Sequence, residues 1–462
     1  MLFMETKITN FTNWSGQYSS KPAIYAEPES VADLTEIILH PDRFPSPLVA
    51  LGSGHSNSGC NVVQVGTAVS MKKFHFIHEP AGNEVSAGAG IQLYELHQFL
   101  AQRKLQLPFT PEIGNATLGS VACCCLKDAS LGQSSGIASG MIKRIKFVDA
   151  QGKGRMMQRG DQDWPLLTSS HGLWGLIYEV TLDTMQMTPV VQSYVSTNAY
   201  SPDFDQVYHN TLNSNDGIFG LMDASTGNII FETRKYSPSG NKPDRLENFF
   251  NILDRNTFKY FNPILGAIET NWYARLVRKM AMGGFGFFKS SFPKGRRTFK
   301  SLKPIDYSHQ YPYRWDFHFW AFPVNQFPTV VLPAFLKFLR EYKKERPYFD
   351  EKGLMACYRL RVEKNALLSP TYQEDRMTLD PVRPVTKDQK LMKDWDDFCF
   401  AYNEFAANHG GTCTFNQTKV LSKSQVERAY GERWQTFKAA RESVDPRNRF
   451  LSDYFKQLMY GA

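Results

Sequence analysis

The stretch Val49-Ala-Leu-Gly-Ser-Gly-His-Ser-Asn57 decides how this chain is read. Its apolar start runs like a short strand into a Gly-Ser-Gly turn, and a turn without Cβ atoms lets backbone N–H groups come close to a bound phosphate. His55 stands at the mouth of that turn. Taken alone, a histidine after paired glycines is equally at home as a solvated loop residue.

Helix and strand signals alternate around this turn. Ser30-Val-Ala-Asp33 has the form of a capping box, and Val31, Leu34, Ile37 and Ile38 give the helix behind it an apolar face. Phe74 to Glu79 and Asn83 to Ala87 read as strands around Pro80-Ala-Gly-Asn83. Gly88-Ala-Gly90 leads into a helix carrying Leu93, Leu96, Phe99 and Leu100. Leu93 stands where a dinucleotide-binding Rossmann turn needs its third glycine, so no nicotinamide site is expected. Ile142 to Asp149 and the end of Gly172-Leu-Trp-Gly-Leu-Ile-Tyr-Glu-Val-Thr-Leu182 are further strands.

The 462 residues are 42% hydrophobic and 14% aromatic, enough for two or three packed domains. Met1 to Lys7 shows no secretory leader, and no run approaches the ~18 apolar residues of a spanning helix. Seven cysteines, including Cys123-Cys-Cys125, have no zinc or C-x-x-C spacing, which points to reduced thiols, a cytoplasmic setting and no metal. The net charge of +8 is concentrated. Arg275, Arg278, Lys279, Lys289, Lys294, Arg296, Arg297, Lys300 and Lys303 are nine cations without an acid among them, so 8 − 9 leaves about −1 for the rest.

The first 185 or so residues resemble the flavin-binding domain of the vanillyl-alcohol oxidase superfamily, and are most similar to its sugar-lactone and alditol oxidases. There a Gly-x-Gly-His-Ser loop grips the FAD pyrophosphate and its histidine is bonded to the flavin. The match here is Gly52-Ser53-Gly54-His55-Ser56, which makes His55 the expected covalent anchor. The resemblance also implies cofactor contacts from Gly114, Thr117, Gly119, Ser120 and Ile137, and along the last strand from Gly175 and Ile177. Thr110 stands where doubly linked relatives have a second flavin-bonding cysteine, so one link is expected. The Cys123–Cys125 run departs from the family; it reads either as a buried strand packed with small thiols or as a thiol against the flavin.

The expected class is therefore α+β: a two-part FAD-binding domain of the PCMH type over 1–187, an antiparallel-sheet substrate domain covered by helices over 188–421, and a segment over 422–462 that returns to the FAD domain. Val190 to Thr197 and Arg314 to Phe322 are its strand candidates, with helices over Pro333 to Lys344 and Leu391 to Ala407. Ser422-Lys-Ser-Gln425 caps a helix expected to run through Trp434 and Phe437.

In the lactone and alditol oxidases an x-Glu-x-Arg pair and a lysine in His-Trp-x-Lys line the reacting position. Aligned on Leu368-Ser-Pro370, Arg359 takes the place of the arginine and Cys357 that of the glutamate; aligned on Gly410-Gly411, Gln417 replaces the lysine. Those three are the catalytic candidates, and the loss of two charged groups implies a rewritten substrate site. The expected activity is oxidation of an alcohol-bearing or similarly activated carbon of a small molecule by hydride transfer to FAD, with oxygen or another acceptor taking the electrons. Alternatives are a biosynthetic enzyme forming a double bond or ring, and a membrane-peripheral flavoprotein. The basic segment 271–303 is similar in placement to membrane-facing loops of the decaprenylphosphoryl-ribose oxidases; a solvated loop and a site for a phosphorylated or carrier-bound substrate are the other readings. No nucleic-acid motif accompanies it.

Overall fold

The computed structural model describes residues 5–6, 10–237, 240–254, 292–299, 314–346 and 354–461. Its first sheet joins β1 (Glu5–Thr6), β2 (Ile24–Ala26), β3 (Leu48–Leu51) and β4 (Thr67–Ser70) in the order β1-β2-β4-β3. β2 and β3 both run parallel to β4, with Val49 opposite Ala68. Burial on both faces suits the unbroken apolar run of β3. Helix α1 (Val31–Leu39) covers this sheet; Ser30 Oγ accepts from Asp33 N at 3.2 Å and Asp33 Oδ2 from Ser30 N at 3.0 Å, the reciprocal cap expected of that sequence.

The second sheet is antiparallel: β5 (Glu84–Gly88), β6 (Ile142–Val148), β7 (Gly154–Gln158) and β8 (Leu176–Asp183), in the order β7-β6-β8-β5. Helices α2 (Leu93–Gln102) and α3 (Leu118–Cys123) pack against it. Phe74 to Glu79 is not a strand beside it. That segment touches β5 through the single bridge Ile77–Ala87 and the bonds from His78 N to Ser86 O and Gly88 N to Phe76 O, too few to build a ladder.

Nine strands form the third, antiparallel sheet. They are β9 (Val190–Asn198), β10 (Gly217–Asp223), β11 (Asn228–Tyr236), β12 (Arg296–Thr298), β13 (Trp315–Phe317), β14 (Ala321–Pro323), β15 (Leu354–Leu360), β16 (Arg376–Thr378) and β17 (Asp380–Pro384). Their order is β12-β9-β11-β10-β15-β16-β14, with β17 pairing both β15 and β13. The stretch Arg314 to Phe322 thus divides into two short strands. Between them His318 is drawn inward, its Nε2 lying 2.7 Å from Asn403 Oδ1. Helices α4 (Phe204–Ser214), α5 (Leu332–Glu345) and α6 (Gln389–Asn408) cover one face of the sheet, and Phe335, Phe398, Tyr402 and Phe405 interleave there as core.

The helix foreseen through Phe437 is two. α7 (Lys423–Tyr430) carries the Ser422–Gln425 capping box, and Gly431, at φ +56°, breaks it from α8 (Glu432–Val444) before α9 (Asp453–Tyr460). Between the last two helices the chain docks on the first sheet. Arg449 donates to the carbonyls of Ile37, Ile38 and Phe44 at 2.7–3.0 Å, and Leu48 N donates to Arg449 O at 2.6 Å.

Of the nine cations in the basic segment, only Lys294, Arg296 and Arg297 fall among the described residues. Arg296 is buried against Asp254 at 2.6 Å, and Arg297 pairs with Glu247 at 2.9 Å. Two of its charges are thereby neutralised by acids from a helix over 245–254. The other six cations lie outside the described residues.

Candidate functional site

The Gly52–Ser56 loop, α3, β8 and the segment after α8 line a cleft. Gly52, Ser53, Gly54, His55 and Ser56 line it, with Thr117 and Ser120 close against Gly52, and Gly119, Gly175 and Ile177 also contribute to its lining. Gln417 and Leu126 line it too. The remaining expected positions lie elsewhere. Gly114 turns the chain before α3, its carbonyl accepting from Tyr94 N, and Ile137 is fully buried in a cluster with Trp14 and Tyr358.

Close approach explains the glycines. A Cβ on Gly52 would sit 2.2 Å from Thr117 Oγ1, so only glycine lets the two segments meet here. Gly54 adopts φ +71°, open to glycine and strained for other residues. The loop is then fastened from two sides. Trp14 N donates to Gly54 O at 2.7 Å and Asn13 Nδ2 to Ser56 O at 2.8 Å, while Asn57 N reaches Asn416 O at 2.8 Å. The Trp14 and His55 rings lie 5.7 Å apart, which orients the imidazole at the cleft mouth.

The donors and acceptors of the cleft fit a dinucleotide. The N–H groups of Ser53, Gly54 and Ser56 donate to no protein acceptor among the described residues. Asn61 Oδ1, Asn416 Oδ1 and Ser452 Oγ are buried on the cleft wall without a hydrogen-bond partner among the described residues. A diphosphate along the loop and a polar ring system beside Asn416 would satisfy these groups, whose burial unpaired is costly. Phe450 and Phe455, from the returning segment, supply apolar surface that the motifs gave no reason to expect.

The thiol run is not a strand. α3 ends at Cys123, Cys124 caps it, and both line the cleft opposite Cys60, whose Sγ lies 3.4 Å from Ser56 Oγ. Cys125, at φ +48°, turns away into the cluster of Trp14 and Tyr358. Burial pushes the thiols of Cys60 and Cys125 up, so they are neutral. All seven cysteines are free.

Cys357 and Arg359 do not reach the cleft. Side chains alternate across β15, and these two share the face covered by α4 and α6. Cys357 is buried in the helix-side core, and the Arg359 guanidinium donates to the carbonyls of Leu212 and Asn215 at 2.9 and 3.0 Å, capping α4. Tyr358, between them, packs with Trp14, Cys125, Ala129 and Ile137 of the cleft-forming half.

Around Tyr358 lies a polar cluster that no motif announced. Its hydroxyl donates to Glu112 Oε2 at 2.8 Å, and Lys127 Nζ stands 3.7 Å from its ring centroid and 2.9 Å from Asp380 Oδ2. Burial raises the Asp380 carboxyl to about 6 against the pull of Lys127. Next to it Arg234 is buried with Asp128 at 3.1 Å and Glu232 at 2.7 Å. Burial works against the Arg234 charge, and the three acids Asp128, Glu232 and Glu112 outweigh it. Glu112 precedes Ile113 and Lys127 follows Leu126, and both of those neighbours line the cleft. Thr110 lines a separate small cavity with Asp128 and Arg234.

Residues 22–156 match the family model described as FAD binding domain, and residues 320–458 the one described as D-arabinono-1,4-lactone oxidase. The chain is similar to D-arabinono-1,4-lactone oxidase of Saccharomyces cerevisiae, 27% identical over 150 residues, which are 31% of this chain and 28% of that protein. L-gulonolactone oxidase of Mus musculus is 22% identical over 467 residues, covering 98% of this chain and 99% of the relative. Among solved structures, cholesterol oxidase from B. sterolicum superposes with a TM-score of 0.72 at 13% identity, over 98% of this chain and 97% of that one. Physcomitrella patens BBE-like 1 gives 0.63 at 14%, over 94% and 91%. At such identities the structural likeness speaks for the fold.

Proposed function

Because the chain belongs to the FAD-linked oxidases of the vanillyl-alcohol oxidase superfamily, and is an FAD-dependent oxidoreductase of the sugar-lactone oxidase and dehydrogenase type, we propose that it holds FAD through one bond to His55 and oxidises an alcohol carbon of a lactone-like polyhydroxy substrate. The observation that carries this is the Gly52–Ser56 loop on the cleft wall, with the Trp14 ring 5.7 Å from that of His55 and packed in one buried cluster with Tyr358.

The residues divide the work by position. The N–H groups of Ser53, Gly54 and Ser56 would hold the diphosphate, and Gly175 and Ile177 would contribute backbone contacts to the cofactor. Asn416 and Gln417 meet the ring system with neutral hydrogen-bonding groups. When bound, FAD would supply the hydride acceptor and the route of the electrons to oxygen or another acceptor. Phe450, Phe455 and Leu126 wall the cleft with apolar surface and limit water there.

Acid precipitation tests the link. Yellow colour should stay in the wild-type pellet and move to the supernatant for His55→Ala. Anaerobic addition of L-gulono-1,4-lactone or D-arabinono-1,4-lactone should bleach the flavin absorbance; a panel of lactones and polyols without effect would remove the proposed reaction.

A further inference from the structure

Oxidation of an alcohol needs a group to receive the hydroxyl proton as the C–H bond breaks. The charged residues that do such work in the lactone oxidases are absent at the aligned positions, and Arg359 is committed to α4. A one-residue difference in register exchanges the faces of a strand. On β15 it is Tyr358 that faces the cleft-forming half.

Resting on the proposed flavin-dependent alcohol oxidation, we propose that Tyr358 is a catalytic residue, receiving the substrate's hydroxyl proton at Oη while handing its own proton to Glu112. Four observations bear on it. The phenol already donates to Glu112 Oε2 at 2.8 Å, so the outgoing path is formed. Glu112 keeps about a third of its side chain exposed, at 35%, and can release the proton to solvent. Lys127 stands over the ring face at 3.7 Å, held by Asp380, where its charge offsets negative charge developing on the phenol oxygen. Phe219 packs on the ring at 4.8 Å and fixes its plane.

The balance closes. The substrate O–H bond breaks and its proton forms a new O–H bond at Tyr358; the former phenolic proton converts the Glu112 carboxylate to the acid. The carbon loses hydride to the flavin and becomes a carbonyl. The charged groups that face this pair are Lys127 and Asp128 after α3, Asp380 on β17 and Arg234 on β11.

Two measurements decide it. In FAD-loaded protein mixed anaerobically with L-gulono-1,4-lactone or D-arabinono-1,4-lactone, Tyr358→Phe should slow flavin bleaching by about 100-fold or more, with the half-saturating concentration changed little. Glu112→Gln should keep part of the rate and lose its rise with pH. Independently of turnover, the ¹³Cζ resonance of Tyr358 in ring-labelled protein, identified by its loss in Tyr358→Phe, should titrate at lower pH in Glu112→Gln. Wild type that bleaches beside an equally fast Tyr358→Phe overturns the proposal alone, as does a resonance indifferent to Glu112. Wild type that no lactone or polyol bleaches overturns the proposed reaction, and this proton path with it.

Discussion

Tyr358 and Arg359 are neighbours on β15 and serve opposite faces of the sheet: the Tyr358 hydroxyl donates to Glu112 at 2.8 Å, and the Arg359 guanidinium donates to the Leu212 and Asn215 carbonyls at 2.9 and 3.0 Å. The first contact ties the sheet to the cleft-forming half, the second ties it to α4.

Arg359→Ala should therefore be a stability variant. Loss of a charged donor to two carbonyls costs about 1.5–3 kcal/mol. Urea unfolding should show that loss, while the folded fraction keeps wild-type flavin content and bleaching rate. A rate reduced tenfold in fully folded protein contradicts this assignment.

Gly52 and Thr117 make a steric pair. In Gly52→Ala the new Cβ meets Thr117 Oγ1 at 2.2 Å, and the β-branched partner has little room to rotate away. Overpacking of this kind costs about 1–3 kcal/mol. Thermal melting without added FAD should fall in Gly52→Ala and recover in part when Thr117→Ala is added; an unaltered melting point in the single variant rejects the contact.

Lys127 and Asp380 are a buried ion pair at 2.9 Å. Lys127→Met leaves the carboxyl without its cation, a loss of up to about 3–5 kcal/mol. The penalty depends on pH. The folded Asp380 carboxyl holds its proton more tightly than the unfolded one, up to about 6 because of burial, so stability from this group is present at low pH and lost as pH rises through that value. Removing Lys127 sends the folded value higher still. The difference from wild type in urea midpoints should be larger at pH 8 than at pH 5, and equal penalties at both would falsify the pairing.

His97 and His318 foretell acid lability. Burial lowers both to about 4. His318 is fixed as the neutral ring, with Nε2 at 2.7 Å from Asn403 Oδ1 and Nδ1 accepting from Lys419 N at 3.4 Å, whereas neither His97 nitrogen has a partner among the described residues. The unfolded chain takes up these protons below about 6.5 and the folded one does not, so stability present above 6.5 is lost as pH falls toward 4, at about 1.4 kcal/mol per unit for each histidine. His97→Leu should flatten the slope by that amount; stability curves of unchanged slope would count against it.

What the sequence discloses follows from how local each determinant is. The Ser30–Asp33 cap and the Gly52–His55 loop are short-range devices, and they are found where their residues place them. The Cys123 run is apolar and short enough to fit either period, so only the packing of α3 on β8 shows it to be a helix end. Ordinal alignment brings Cys357 and Arg359 to a site, but the pleat of β15 sends both to the other side. Tyr358, Lys127, Glu112 and Asp380 come from separate parts of the chain and share no spacing rule. Nothing short of the tertiary fold reveals that they meet.

The docking of Arg449 on α1 and β3 carries a consequence for biogenesis. The ribosome releases the glycine loop some four hundred residues before Phe450, Ser452 and Phe455, the side chains that finish the same chamber. A nascent polypeptide stopped short of that latch lacks part of the chamber's lining, so the cleft is complete only once synthesis has passed residue 455.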